Sequence, residues 1–142
     1  GLLLYVSDKF TFKNNIEKDF SYKSAILIGI FQILSLVPGV SRSGITITAA
    51  RILKFNRVDS AKISFLLSIP TLAAVSIFGL KNVISSDDIN FSILNILAIF
   101  ASFIFSIVTI KYFLIYLKKF SLKAFVIYRL FLGIALIFIS YL

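Results

Sequence analysis

The stretch SAILIGIFQILSLVPGVSRSGITITAA, residues 24–50, decides the fold. It is apolar on both sides of a break at Pro38 and Gly39, and Arg42 follows the break between two serines. As a helix, the arm before the break would cover roughly 21 Å, whereas the hydrocarbon core of a bilayer is roughly 30 Å thick. Proline does not continue a helix. The stretch is therefore either a hairpin of two short helices over residues 24–55 or one interrupted membrane crossing.

The rest of the chain has the composition of an integral membrane protein. Of its 142 residues 59% are hydrophobic, and the mean hydropathy is +1.01, whereas soluble domains average roughly 45–50% apolar residues. Because a bilayer offers no partner to open backbone groups, we expect an all-α fold. Apolar segments at residues 62–80, 90–117 and 122–142 predict three transmembrane helices, the first with a kink at Pro70.

The basic residues favour the hairpin. The net charge of +9 comes from short clusters between apolar spans, which is typical of cytoplasmic loops facing anionic lipid rather than of nucleic-acid binding. If the stretch is a hairpin, loops 8–23, 51–62 and 118–123 share one side and hold eleven Lys and Arg residues. A straight crossing would split these charges four to seven. We therefore predict a re-entrant hairpin with its tip inside the membrane, where irregular backbone must line a cavity or be buried in protein.

The hairpin tip has the composition of an anion site. Gly39 permits a tight turn, and Ser41 is placed to cap the following helix. The free N–H groups of the first helical turn attract anions, and Gly44 leaves room for a close approach. Arg42 and Thr46 are four residues apart and share a face, so both are expected to overlook the site. The simpler interpretation is a turn and a helix cap without a ligand.

Of three polar residues within apolar segments, Arg42 and Gln32 have two interpretations each and Arg129 has one. Arg42 either binds a ligand or reaches water as a helix-end residue, and its route to water is poor. Gln32 either bonds to a neighbouring helix or contacts a ligand in the same cavity. Arg129 is interpreted as a residue that reaches the cytoplasmic interface.

These residues resemble the bacterial undecaprenyl-diphosphate phosphatases, also called bacitracin-resistance proteins. The resemblance is strongest in IGIFQILSLVPGVSRSGITI, residues 28–47, and extends to FLLSIP (65–70) and VIYRLFLG (126–133). The family pattern is a Gly, a Gln three residues on, then Pro-Gly-x-Ser-Arg-Ser-Gly-x-Thr. The matching positions here are Gly29, Gln32, Pro38, Gly39, Ser41, Arg42, Ser43, Gly44 and Thr46.

The resemblance implies a membrane hydrolase that converts a polyprenyl diphosphate to the monophosphate carrier used in cell-wall synthesis. It implies a multi-pass protein of the bacterial inner membrane, built as two inverted repeats, of which residues 1–142 are a single membrane domain forming the C-terminal repeat. It also implies a divalent cation, Mg²⁺ or Ca²⁺. The implied catalytic residues are Arg42, Ser41 and Ser43, and the implied substrate-binding residues are Gly39, Gly44, Thr46 and Gln32.

The sequence departs from the family pattern in what it lacks. It contains no His and no Cys, none of its six acidic residues lies near the tip, and the first repeat is absent. We therefore expect a fragment that holds no metal ligands and is inactive alone, with the polyprenyl diphosphate lipid, the missing N-terminal repeat and a second copy of the chain as expected partners. The alternative function is a polyprenyl-phosphate flippase or transporter without hydrolysis, and a third interpretation is a packing subunit.

Overall fold

The computed structural model describes residues 2–84 and 93–140, and the described part is helical except for its turns and one isolated β-bridge. The predicted all-α membrane fold is confirmed. The elements are helices α1 to α7 and one short 3-10 turn after α3. In chain order they are α1 (Leu2–Asp8), α2 (Ile16–Asp19), α3 (Tyr22–Ile33), the 3-10 turn (Leu34–Leu36), α4 (Arg42–Ile52), α5 (Arg57–Ile84), α6 (Ile93–Lys119) and α7 (Lys123–Ser140).

Three helices, α5, α6 and α7, are long and apolar enough to cross a membrane. Most of their surface is exposed to the outside of the fold, as expected for helices that face lipid. The predicted start of the second segment at residue 90, and the end of the third at residues 141–142, lie outside the described residues. Pro70 lies inside α5, and the helix continues on both sides of it.

The predicted first boundary of α5 is wrong. The region 51–62 was expected to be a loop, but α5 begins at Arg57. The Asn56 side chain accepts a bond of 2.8 Å from the backbone N–H of Asp59 and donates one of 2.7 Å to the Asp59 carboxylate. This reciprocal capping starts the helix five residues before the apolar run begins. The predicted loop 8–23 also contains a helix, the single turn α2, which Asn15 caps.

Helix α4 is the centre of the packing. Its residues from Ile45 to Arg51 are all buried, and it packs against α1, α3 and α5. Small Ala49 and Ala50 are fully buried, which allows neighbouring helices to approach closely. The helix ends in a left-handed residue, Lys54, with φ of 66°, and the Phe55 N–H closes the end on the Ala50 carbonyl at 3.1 Å.

The two short helices α3 and α4 form a helical hairpin. Asn14, before α3, bridges to Phe55, after α4, so the chain returns to the end from which it came. Both helices are shorter than the thickness of a bilayer's hydrocarbon core. The geometry agrees with the hairpin arrangement predicted from the charges, while its placement in a membrane stays a prediction.

A buried ion cluster joins the chain segments at this end of the hairpin. Asp8 accepts two bonds from the Arg57 guanidinium, at 2.7 and 3.1 Å, and one of 3.3 Å from the backbone N–H of Leu122. Arg51 lies beside it, with its Nε 3.7 Å from an Asp8 carboxylate oxygen. Burial lowers the pKa of Arg51, and the charge of Asp8 acts in the opposite direction.

Candidate functional site

The hairpin tip turns at Pro38 and Gly39 before α4 begins. Gly39 has φ of 86°, a left-handed conformation that other residues adopt only at a cost of roughly 1–2 kcal/mol. The Val40 N–H closes the turn on the Val37 carbonyl at 3.1 Å. This turn points the first residues of α4 back along the hairpin.

Ser41 caps α4, as the sequence predicts. Its Oγ accepts a bond of 3.2 Å from the Gly44 N–H and lies 3.3 Å from the Ser43 Oγ. Ser41 itself has extended backbone angles, with φ of −73° and ψ of 124°. The first turn of α4 therefore presents two hydroxyl groups and the positive end of a helix dipole at one place.

A cavity of about 730 Å³ opens against this turn. Its polar lining comes from α4 and the preceding turn, and from one residue of α7. The remaining lining is aliphatic or aromatic and comes from α1, the 3-10 turn, α4, α6, α7 and the residues just before α4 and α7. The polar lining consists of Gly39, Ser41, Ser43, Gly44, Thr48 and Arg129. The combination suits a ligand with an anionic end and an apolar body.

Arg42 and Thr46 lie on another face of α4. The Arg42 Nη1 donates a bond of 3.1 Å to the Thr71 hydroxyl of α5, and Thr46 is buried, with its hydroxyl 2.7 Å from that of Ser64. The two residues share a face, as their spacing predicts, but that face is turned towards α5. Neither is among the residues that line the cavity.

Gln32 stands apart from both groups. It lies near the end of α3, and its Oε1 is buried without a hydrogen-bond partner in the described part of the chain. It does not line the cavity. Of the seven predicted site residues, the structure therefore brings together Gly39, Ser41, Ser43 and Gly44 at the cavity, and places Arg42, Thr46 and Gln32 elsewhere.

Arg129 lines the cavity although the sequence analysis did not assign it to the site, and the same is true of Thr48. Arg129 was interpreted only as reaching the interface, whereas it lines the cavity beside the first turn of α4. A Cβ built on Gly44 would lie 3.7 Å from the Arg129 Nη1, an ordinary van der Waals distance, so the guanidinium lies close to the first turn of α4. The stretch VIYRLFLG, which carries part of the family resemblance, was the signal that could have identified it.

The residues described here do not fit the expected divalent cation. Within residues 2–84 and 93–140 no three His, Cys, Asp or Glu residues cluster as metal ligands would. The cavity lining contains hydroxyl groups and a guanidinium but no carboxylate.

Comparison with known proteins shows which family the chain is similar to. The family described as "Bacitracin resistance protein BacA" matches residues 1–135. The chain belongs to the BacA family. A BacA relative from Pelagibacter ubique, named undecaprenyl-diphosphatase, is 51% identical over 99% of the chain and 55% of its own length. Proteins of the same name from Campylobacter curvus and Jannaschia sp. are 42% and 37% identical over 98% and 99% of the chain, and 52% and 53% of their own lengths.

The chain spans about half the length of the curated BacA relatives it matches. The matched part includes both the hairpin and the α7 segment that carries Arg129. The family and the membrane fold are thus shown for this chain. The relatives that are named undecaprenyl-diphosphatase are about twice as long as the chain.

Proposed function

We propose that the protein carrying this chain hydrolyses a polyprenyl diphosphate, such as undecaprenyl diphosphate, to the monophosphate and inorganic phosphate. The names of the BacA relatives support this reaction. The observation that carries the proposal is the cavity itself, because the capped first turn of α4 forms its polar side and apolar residues form its other walls. A phosphorylated lipid has the same two-part chemistry.

The rate of this reaction depends mainly on stabilising the negative charge of the transferred phosphoryl group. A water molecule or a serine hydroxyl attacks the terminal phosphorus, the bond from that phosphorus to the bridging oxygen breaks, and the lipid monophosphate leaves. Attack by water releases inorganic phosphate directly, whereas attack by serine forms a phosphoserine, which water then hydrolyses to inorganic phosphate and free serine. Charge on the transferred group is stabilised by positioned N–H donors and cations. In this proposal Ser41 and Ser43 supply hydroxyl groups, and Gly39 and Gly44 allow the phosphate to approach the backbone.

Arg42 is proposed to stabilise that charge from the α5 side of the same turn. Its bond to Thr71 uses one of the five N–H donors of the guanidinium and fixes its orientation. Thr46 supports this arrangement, since its hydroxyl bonds back to the Arg42 carbonyl at 2.9 Å. Gln32 remains a proposed substrate contact, supported by its buried and unpartnered Oε1 among the described residues.

The remaining parts of the site are proposed to lie outside the described residues. Hydrolysis needs an acid or base, and a divalent ion commonly offsets phosphate charge. The length of the relatives leaves room for groups of this kind. We also propose that the protein lies in the bacterial inner membrane and that the α3–α4 hairpin is re-entrant, because α3 and α4 are too short to cross.

The test is release of inorganic phosphate from a C55 polyprenyl diphosphate by the full-length protein in detergent with Mg²⁺ or Ca²⁺. Arg42→Ala should lower kcat about a hundredfold or more, as loss of a charge-stabilising donor does in other enzymes. Lys62→Ala, which removes an exposed charge of α5, is the matched control and should keep the parent rate.

Two results would contradict the proposal in different ways. Turnover of Arg42→Ala near the parent rate would remove Arg42 from the catalytic group. Transport of the lipid across proteoliposomes without any phosphate release would replace hydrolysis by a carrier function.

A further inference from the structure

Arg129 is an exposed cation on a helix that has no other charged residue after Lys123. It lies on α7 six residues after Lys123, which is roughly 9 Å along the helix axis. Its neighbours in sequence are Tyr128 and Leu130, and Leu130 lines the same cavity. A charged residue within an apolar helix is costly unless it has a partner or a function.

No acidic partner accounts for Arg129 among the residues that the structure describes. The ion pairs there join Arg51 and Arg57 to Asp8, at the basic end of the hairpin. The lining of the cavity has no Asp or Glu, and Arg129 is its one charged member within the described ranges. The described residues therefore do not neutralise the Arg129 guanidinium, and the cavity attracts an anion.

The apolar residues that line the cavity near Arg129 indicate which chemical group the bound anion carries. Leu122, just before α7, and Val126, three residues before Arg129 on α7, are almost fully buried and line the cavity. Phe113 and Phe125 meet edge to face, with ring centroids 5.4 Å apart, and line it as well. These surfaces offer no hydrogen bonds to a free inorganic anion, but they match the apolar chain of a lipid.

We propose that Arg129 binds the phosphate end of a polyprenyl phosphate or diphosphate, and that the apolar walls made by α1, α6 and α7 hold the first part of its chain. The proposal rests on the proposed function and adds to it a second guanidinium, supplied by α7, on the cavity side of α4. Arginine suits this role because its planar fork binds phosphate in a bidentate way. A Cβ position on Gly44 is 3.4 Å from the Ser41 Oγ and 3.7 Å from the Arg129 Nη1, so the hydroxyl and the guanidinium both lie close to Gly44.

The experiment compares Arg129→Gln, Arg129→Lys and Lys123→Gln in the full-length protein. Lys123→Gln is the matched control because it removes one positive charge from the exposed start of the same helix. With a C55 polyprenyl diphosphate, we expect Arg129→Gln to raise KM roughly tenfold or more, because charge-assisted hydrogen bonds are about twice as strong as neutral ones. Arg129→Lys should recover part of this loss, and Lys123→Gln should keep the parent KM.

Competition separates the two possible sources of the phosphate group. A C15 polyprenyl monophosphate should inhibit far more strongly than inorganic phosphate, and Arg129→Gln should weaken that inhibition. Equal inhibition by the two compounds would overturn the assignment of the apolar walls. The thermal unfolding midpoint in detergent is measured for each variant, because a merely structural role would lower the midpoint and leave KM unchanged.

Equilibrium binding keeps this proposal separate from the proposed function. If the parent protein releases no phosphate, hydrolysis is wrong, and binding of a fluorescent C15 polyprenyl diphosphate then tests Arg129 directly. Weaker binding by Arg129→Gln than by Lys123→Gln would support the assignment. Equal binding by these two variants, or an unchanged KM in an active protein, would overturn it.

Discussion

Asp8 bonds to two other segments of the chain through one side chain. Its carboxylate is 3% exposed and bonds to Arg57 and to the backbone of Leu122. Arg51, 2% exposed, also relies on it for charge balance, although its Nη groups donate to the carbonyls of Asp8, Phe10 and Phe55. Asp8 thus couples the end of α1 to the hairpin and to the start of α7.

Replacing Asp8 by Asn is expected to destabilise the fold by about 3 kcal/mol or more, because it leaves the buried Arg51 cation without a counter-charge. Asp19→Asn makes the same chemical change at an exposed helix end, where Asp19 accepts one backbone bond, and should cost about 1 kcal/mol or less. Thermal unfolding in detergent measures both. Equal midpoints for the two variants would show that the ion cluster contributes little.

The sequence predicted the local geometry of the hairpin tip better than the positions of the long polar side chains. The serines and glycines of the tip were placed correctly because capping and left-handed turns are local effects. Whether Arg42 faces a cavity or α5 depends on Thr71, 29 residues away. The position of Arg129 at the cavity was not predicted for the same reason, since residues of α1, α4 and α6 that are distant in sequence line that cavity with it.

Some helix boundaries could likewise be predicted from the local sequence, whereas others could not. The three long apolar helices and the start of α4 followed from hydropathy and from one capping serine. The start of α5 was placed too late because the prediction relied on apolar residues, whereas Asn56 and Asp59 begin the helix in a polar segment. The side chain of Asp59 also accepts a bond of 3.1 Å from the backbone of Ile16, a contact that the local sequence does not predict.

Alanine substitution is expected to have opposite effects at two glycines of the α3–α4 hairpin. Gly39→Ala should destabilise the hairpin by about 1–2 kcal/mol, because Gly39 has a left-handed φ. Gly29→Ala should stabilise it by about 0.5–1 kcal/mol, because Gly29 lies inside α3 with no atom near the added Cβ. Thermal unfolding of the two variants gives the comparison. A gain in stability for Gly39→Ala would contradict the observed turn.

In the whole molecule, the basic segments meet at one end. Asn14 bridges to Phe55, and Asp8 bonds to Arg57 and to the backbone of Leu122. The segments before α3, after α4 and before α7 are therefore neighbours in the fold. Their shared position is what the distribution of Lys and Arg predicts for one side of a membrane.

This arrangement predicts the sidedness of the chain in a membrane. The sequence has no cysteine, so single-cysteine variants of the full-length protein, in which any other cysteines are replaced, can be labelled with a membrane-impermeant maleimide. Lys18→Cys, before the hairpin, and Lys119→Cys, at the end of α6, should react from the same side.

Lys81→Cys is the control for the opposite side, because Lys81 follows the start of α5 by roughly 36 Å of helix, enough to cross the hydrocarbon core. It should react only from the other side. A re-entrant hairpin keeps Lys18 and Lys119 together because the chain then crosses twice between them, through α5 and α6. If Lys18→Cys and Lys119→Cys react from opposite sides, α3 and α4 together make a full crossing, and the hairpin tip does not end inside the bilayer.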